Sequence, residues 1–340
     1  MSLGQIGKYE LLKHLGNGAF GDVFLAHDHA LNTQKAIKIL NAPNPNEVMH
    51  KLEEAQILHK CMHKNIVRIN EANVFQINST SHVVIDMEYL PDGSLENSIQ
   101  TSRISIHSVL RIIIDCLFAL EHAHINGILH RDVKPANIML CNLGAKLSDF
   151  GLATVLGVQA AGSPRGYTTH LPPEYFINRH TTVLTDIYAV GITLFRACNY
   201  ISDWEGAIRR LHDPDGIIRN GQLINTLGFS AFIPQKLKRI INKACAADPS
   251  QRYQSAAEFR QAFERLSPQI DWRPAAQSEF DGVCIQTGAS FSIALVTTRA
   301  AFNVELRKNG RRQTADCHGF QDLNSAYKHL YGHVSSTLFL

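Results

Sequence analysis

From His130 to Asn137 the chain reads His-Arg-Asp-Val-Lys-Pro-Ala-Asn, and twelve residues beyond Asn137 stands Asp149-Phe150-Gly151. These residue types, in this order, can move a phosphoryl group. Asp132 can accept the proton of an attacking hydroxyl, and Lys134 can neutralise charge on the group in transit. Asn137 and Asp149 offer the amide and carboxylate oxygens that suit Mg²⁺, a hard cation that keeps several waters and needs few protein ligands. His130 reads as a packing residue of the loop rather than as a base. A plain turn, in which Asp132 and Asn137 only satisfy backbone groups, does not account for the distances to the other motifs.

The second chemical stretch is Gly16-Asn17-Gly18-Ala19-Phe20-Gly21-Asp22-Val23. Glycines let backbone N–H groups approach phosphate oxygens with no Cβ in the way. The same pattern marks dinucleotide folds, but there it joins a strand to a helix, whereas here it lies between two strands. Lys38 follows seventeen residues after Gly21, at the end of Ala36-Ile37-Lys38.

The elements that must position these groups fall into two blocks. Residues 9–12, 22–26 and 36–40 predict short strands, and 46–62 carries Val48, Leu52, Ala55, Leu58 and Met62 at helical spacing. Residues 66–72 and 83–88 predict two further strands, and Pro91-Asp92-Gly93 breaks the chain. Beyond the break the pattern turns helical at 95–100, 106–125, 183–198, 205–211, 236–246 and 255–266, with short strands at 138–141 and 145–147. After Pro268 the character changes once more. Residues 290–297 and 301–307 alternate apolar and polar side chains, Asn309-Gly310 signals a hairpin, and 322–331 predicts an amphipathic helix (Leu323, Ala326, Tyr327, Leu330).

Composition sets the bounds. The 340 residues suffice for a large core, and a formal charge of +3 is too small to argue for nucleic acid or membrane as the main partner. Seven cysteines are scattered, odd in number and never in CxxC spacing, which fits a reducing cytosol better than a disulfide framework or a zinc site. The first residues lack a basic segment followed by an apolar run, and no uncharged stretch reaches the ~20 apolar residues of a membrane span. The expectation is a soluble, cytoplasmic protein.

Taken together, the His130–Asn137 loop, Asp149-Phe150-Gly151, the glycine loop and Ala36-Ile37-Lys38 resemble the eukaryotic-type serine/threonine protein kinase family over about residues 9–267. The resemblance implies an α+β, two-lobed protein kinase-like fold, a β-rich N-lobe at 1–90 and a helical C-lobe at 91–268; outside the family core, the pattern after Pro268 reads as a small α+β C-terminal appendage at 269–340. It implies ATP and Mg²⁺ as cofactors. Lys38 would contact the α- and β-phosphates and pair with Glu54 on the following helix, with Glu53 the competitor; the register of His63-Lys64-Asn65-Ile66-Val67 favours Glu54. Gly16, Asn17, Gly18 and Gly21 would cover the phosphates. Leu15, Val23, Ala36 and Met139 would sandwich the adenine, which would bond to the backbone of Glu88 and Leu90 beside the gatekeeper Met87. For Met139, a core methionine filling space is the alternative. Asp132 would be the base, Lys134 the γ-phosphoryl cation, and Asn137 and Asp149 the metal ligands.

Other matches concern the scaffold. Pro172-Pro173-Glu174, Asp186-Ile187-Tyr188-Ala189-Val190-Gly191 and Arg252 match the lower-lobe set, with Glu174–Arg252 as a buried ion pair. Phe150, His130, Leu58 and Ile69 would form the apolar column joining the lobes. Arg131 would read a phosphate on the activation segment, with autophosphorylation at Ser163 or at Thr154, Thr168 or Thr169. Lys134 resembles the lysine of serine/threonine kinases, so the implied partner is a protein bearing Ser or Thr, with neither nucleic acid nor membrane expected. The departures are Tyr167 in place of a threonine, His170-Leu171 in place of Tyr-Met, and an unfamiliar stretch around Trp204 and Asp213–Gly216. In the appendage, Arg307-Lys308-Asn309-Gly310-Arg311-Arg312 is either a soluble turn or a dock for an acidic or phosphorylated segment. Two other functions stay open: a pseudokinase-like binding module, and a kinase dedicated to a single partner or a small-molecule acceptor.

Overall fold

The computed structural model describes residues 3–18, 21–41, 46, 49, 52, 61–77, 80–101, 104–150, 168–276, 278–298 and 301–339. The expectations for Glu53, Glu54, Leu58, Thr154, Ser163, Tyr167 and most of the 46–62 helix lie outside the described residues.

The small lobe is an antiparallel sheet of β1 (Gly4–Ile6), β2 (Tyr9–Gly18), β3 (Gly21–Asp28), β4 (Thr33–Asn41), β5 (Ile69–Ile77) and β6 (Thr80–Glu88), in the order β1-β2-β3-β4-β6-β5. Successive side chains in a strand point to opposite faces. Val84 therefore joins Tyr9, Leu11, Ala26 and Ile37 on one side, while its neighbours Val83 and Ile85 join Leu40 on the other. The strand expected at 66–72 begins only at Ile69. Asn65 and Val67 are held instead by Leu147 of the large lobe: Leu147 N donates to Asn65 O at 2.8 Å and Val67 N to Leu147 O at 3.0 Å.

The large lobe contains α1 (Leu95–Thr101), α2 (Ile106–Ile125), the β7–β8 ribbon (Ile138–Cys141 and Gly144–Leu147), α3 (Pro173–Asn178) and α4 (Val183–Cys198). It continues with α5 (Trp204–Arg209), α6 (Pro214–Arg219), α7 (Leu223–Leu227), α8 (Gln235–Ala244) and α9 (Ala256–Glu264). Helices α2 and α4 start and stop at the residues their periodicity predicts. Ser105 caps α2 by accepting from Ser108 N, and Thr182 with Thr185 forms a capping box on α4. Every residue of α4 from Thr185 to Cys198 is buried, so this helix is the centre of the lobe. The unfamiliar stretch after it resolves into short helices. Asp203 and Asp213 cap α5 and α6 by accepting from Gly206 N and Gly216 N three residues on.

The segment after Pro268 is a second antiparallel sheet covered by a helix. Its strands are β9 (Ile270–Ala276), β10 (Glu279–Cys284), β11 (Ser290–Thr297), β12 (Phe302–Lys308), β13 (Arg311–Arg312) and β14 (His318–Phe320), and the helix is α10 (Leu323–Leu338). The order is β13-β12-β11-β10-β9, with β14 on β12. The helix runs seven residues past its expected end, because Val334 and Leu338 continue the buried row of Ala326 and Leu330 at intervals of four. The apolar side chains of this sheet and helix share one core with the large lobe: Phe232 packs on Phe280 of β10 at 5.4 Å and on Tyr331 of α10 at 6.1 Å between ring centroids. Among the described residues, no helix is long and apolar enough to cross a membrane.

Candidate active site

The two lobes enclose a cleft of about 550 Å³. Its lining includes Leu15, Gly16, Val23, Ala36 and Lys38 from the small lobe, and Glu88 and Leu90 from the connection. Asp132, Lys134, Asn137, Met139 and Asp149 line it from below. Twelve residues named from the motifs and the family resemblance thus share one cavity although they span more than a hundred positions. Gly21 lies at the end of the β2–β3 hairpin, paired with Gly18, and Asn17 pairs with Asp22 in the same ladder. At Gly21 only glycine fits: φ is +150°, and a Cβ would fall 2.0 Å from the carbonyl oxygen of Ile39.

The lower wall is a hydrogen-bonded unit. Lys134 Nζ donates to Asp132 Oδ2 at 2.8 Å, and Asn137 Nδ2 donates to Asp132 Oδ2 at 3.0 Å and to Asp132 O at 2.8 Å. With its NH₂ group so engaged, the Asn137 carbonyl oxygen is the part of the amide left to act as a donor to metal. Burial lowers the Lys134 ammonium below the ordinary lysine value, and the charge of Asp132 opposes that shift. Across the cleft, Lys38 Nζ lies 2.6 Å from Asp149 Oδ1. Lys38 is only 2% exposed, so its charge is held in a site shielded from water.

Two residues of this wall hold left-handed backbone conformations that side chains other than glycine rarely adopt: Arg131 at φ +70° and Asp149 at φ +52°. Asp186, at the start of α4, is what holds the first. Its Oδ1 accepts from Arg131 N at 2.8 Å, and its Oδ2 accepts from His130 N and pairs with His124 Nε2, each at 2.9 Å. Burial alone would raise the Asp186 pKa, yet these donors bring it below the ordinary carboxylate value. His130 is fixed as the neutral imidazole: its Nδ1 accepts from Asp132 N, and its Nε2 donates to Ser148 O at 2.8 Å. Burial accordingly lowers its pKa, and its ring packs on Phe150 at 4.6 Å. It therefore orders the loop, and Ile69 lines the small cavity behind Phe150.

The scaffold pair forms as a bidentate contact. Arg252 Nη1 and Nη2 reach Glu174 Oε1 and Oε2 at 2.7 and 2.8 Å, and the same guanidinium donates to the carbonyls of Leu184, Ala246 and Ala247. One carboxylate at the cleft was not anticipated. Glu96 of α1 lines the cavity and is gripped by both nitrogens of the buried Arg196, at 2.6 and 2.5 Å. Ser94 and Asn97 beside it also line the cleft. Arg196 alone on an apolar helix was the available signal, since a buried guanidinium requires a carboxylate partner. The Glu88 carboxylate is taken by Lys146 Nζ and Arg68 N, so this residue has only its main chain to offer a ligand.

A β-rich small lobe, a helical large lobe and this set of convergent charges define a protein of the protein kinase class. The chain matches the protein kinase domain family over residues 9–263 and belongs to that family. It is 32% identical over 277 residues to the serine/threonine-protein kinase PrkC of Bacillus subtilis, an alignment covering 76% of this chain and 41% of that protein. It is 28% identical over 307 residues to the serine/threonine-protein kinase PknB of Mycobacterium leprae, covering 86% and 48%. The chain thus spans less than half the length of these relatives. The crystal structure of the Mycobacterium tuberculosis PknI kinase domain shares the fold, with a TM-score of 0.54 at 23% identity over 78% of this chain and 98% of that one.

Proposed function

We propose that the chain is an ATP- and Mg²⁺-dependent serine/threonine protein kinase. The observation that carries this reading is the convergence of Lys38, Asp132, Lys134, Asn137 and Asp149 on one cleft, with Lys134 already bonded to Asp132. A protein Ser or Thr hydroxyl would lie against Asp132, which takes its proton as the oxygen bonds to the γ-phosphorus and the bond to the ADP oxygen breaks. Lys134 would offset charge on the transferring group, and Lys38 would hold the α- and β-phosphates. Asn137 and Asp149 supply the hard oxygen donors that suit Mg²⁺, which when bound would neutralise charge between the phosphates. The backbone at Glu88 and Leu90 would bind adenine between Leu15, Val23, Ala36 and Met139. Most of the acceleration would come from positioning and charge neutralisation in a dry site.

A protein acceptor is supported by the Glu174–Arg252 pair and by Asp186, which belong to the lower-lobe set of protein kinases and not to the catalytic minimum. Seven free thiols, none of them paired, support a cytoplasmic setting. The test is incorporation from labelled ATP with Mg²⁺ into the chain itself and into generic Ser/Thr proteins, beside Lys38→Met and Asp132→Asn. Loss of incorporation in both variants is expected. Incorporation that survives both would overturn the assignments, and incorporation into neither acceptor by the parent chain would favour a binding module or a kinase of one dedicated substrate.

A further inference from the structure

Helix α8 carries Lys236, Lys238, Arg239 and Lys243 and no acidic residue in its ten positions. Its buried side is occupied by Leu237, Ile240, Ile241 and Ala244, so the cations stand on the outward side. That side does not face open solvent alone. Together with α9 it forms a groove of about 590 Å³, whose rim carries Lys236, Arg239, Lys243 and Arg265. Apolar atoms of Ile240, Tyr253 and Leu266 close its floor.

The one carboxylate in the lining, Glu258, is already committed. It accepts from Lys243 Nζ at 2.8 Å and from Gln254 N at 2.7 Å. Arg239 and Arg265 are exposed and pair with no carboxylate among the described residues. A rim left cationic in this way, over a floor with apolar atoms, is complementary to a segment that carries both carboxylates and apolar side chains. The hairpin tip at 307–312 is the competing basic surface, and it fits less well. Arg307 and Arg312 share Glu305 at 3.4 and 3.5 Å, and every tip residue is exposed, which leaves no floor.

We propose that the α8–α9 groove is a docking site for an acidic, partly apolar segment of a protein partner, remote from the catalytic cleft. The proposal deepens the protein-kinase reading, because a partner held there by its own segment would present its Ser or Thr at raised local concentration. Binding and catalysis are separate measurements, so the two readings can fail separately.

The test uses the full chain in its Lys38→Met form, so that catalysis does not enter. The probe is a fluorescein-labelled peptide of alternating Asp/Glu and Leu/Phe, followed by anisotropy beside its Asn/Gln counterpart. The acidic peptide is expected to bind at least about tenfold tighter than the amide peptide, a difference that shrinks as salt rises. Arg239→Glu/Arg265→Glu is expected to remove that difference, with an unchanged circular dichroism spectrum and melting temperature. Arg307→Glu/Arg311→Glu, with the same change in net charge, is expected to keep it. Equal binding of the two peptides, or no binding of either, overturns the proposal. So does retained affinity in the groove variant, or equal loss in the tip variant. Binding of phosphatidylserine vesicles or of a single-stranded oligonucleotide through Arg239 and Arg265, without binding of the acidic peptide, would assign the groove to a different occupant and overturn it as well.

Discussion

Asp186→Asn is the substitution that most directly tests how the catalytic loop is held. The carboxylate offers two oxygens to three donors: Arg131 N, His130 N and His124 Nε2. An asparagine keeps one oxygen and turns an NH₂ group toward the other side, so one of the two backbone N–H groups must face a donor whichever way the amide flips. A hydrogen bond to a charged group contributes about 1.5–3 kcal/mol, and a buried donor left without an acceptor costs about 1–3 kcal/mol. Here one backbone bond is lost, the other loses its charge assistance, and the site is 1% exposed. We expect a destabilisation of about 3 kcal/mol, which for a cooperative unit of this size lowers Tm by roughly 4–6 °C. The kinetic effect should be larger than stability alone explains. Arg131 at φ +70° is held against its own preference, and Asp132 is the next residue. Released, the loop shifts its base, and a displacement of about 1 Å is enough to cost roughly 10²-fold in rate. The assay is steady-state phosphorylation well below the melting temperature. The expectation is a kcat about a hundredfold lower with KM for ATP within about twofold, since the groups proposed to hold adenine and the α- and β-phosphates (Lys38, Glu88, Leu90) lie on other elements. Arg131→Gly in the same background should recover part of the lost Tm, because glycine adopts the left-handed conformation without strain. A variant with kcat within threefold of the parent would refute the claim that Asp186 positions Asp132.

Three further outcomes follow from the geometry. Glu174→Ala leaves the Arg252 guanidinium buried with only the carbonyls of Leu184, Ala246 and Ala247, and should cost about 3 kcal/mol by chemical denaturation; a loss under 1 kcal/mol would mean those carbonyls suffice. Gly21→Ala forces the β2–β3 hairpin away from Ile39 and should raise KM for ATP about tenfold, measured by initial rates over an ATP series, with a lowered Tm as well. Burial first, then the charges of Arg196 and Lys134, holds the His170 pKa at about 3, against 6.5 when unfolded. The unfolded chain therefore binds the extra proton, so this residue's share of stability is intact above pH 6.5 and falls by about 1.4 kcal/mol per unit below it. His170→Tyr should flatten urea midpoints between pH 7.5 and 5.5 by about that amount; equal acid sensitivity in parent and variant would count against the assignment, since His130 and His63, also lowered by burial, remain in both.

What could be read from the chain, and what could not, divides by range. The bounds of α2 and α4 were readable because caps and apolar period are local: Ser105 and Thr182 mark the starts, and the buried stripe marks the length. The helix expected at 205–211 is α5, one residue earlier at its start, whereas α6 carries only an Asp three residues before a Gly, a signal too brief for periodicity to detect. The strand at 66–72 was misplaced because its first residues answer to Leu147, eighty positions away. The same holds for the site. Asp132, Lys134, Asn137 and Asp149 sit within eighteen consecutive residues and can be recognised together. Glu96 could not be, since its meaning depends on Arg196, a hundred residues later. The segment after Pro268 reads as an appendage from composition alone. Its packing on Phe232 follows from apolar side chains whose partners lie in another element, and alternation within a strand does not name them.

The position of Arg196 also explains how a single buried helix can reference two parts of the cleft. Asp186 lies in the first turn of α4 and Arg196 in its last. A negative charge at the N-terminus and a positive one at the C-terminus are both favoured by the helix dipole, which offsets part of the cost of burying them. The ten-residue step from one to the other separates them by about 15 Å along the axis. One end holds the backbone of His130 and Arg131, and so the position of Asp132, the proposed base. The other grips Glu96, which lines the same cleft, while Trp204, near the same guanidinium at 5.6 Å, donates to Thr169 Oγ1 at 2.9 Å. Because α4 is buried along almost its whole length, neither end can shift without moving the core. The catalytic loop, the cleft mouth and the segment at Thr169–His170 are therefore set by one rigid rod, and a substitution at either charged end is expected to act on the site rather than only on stability.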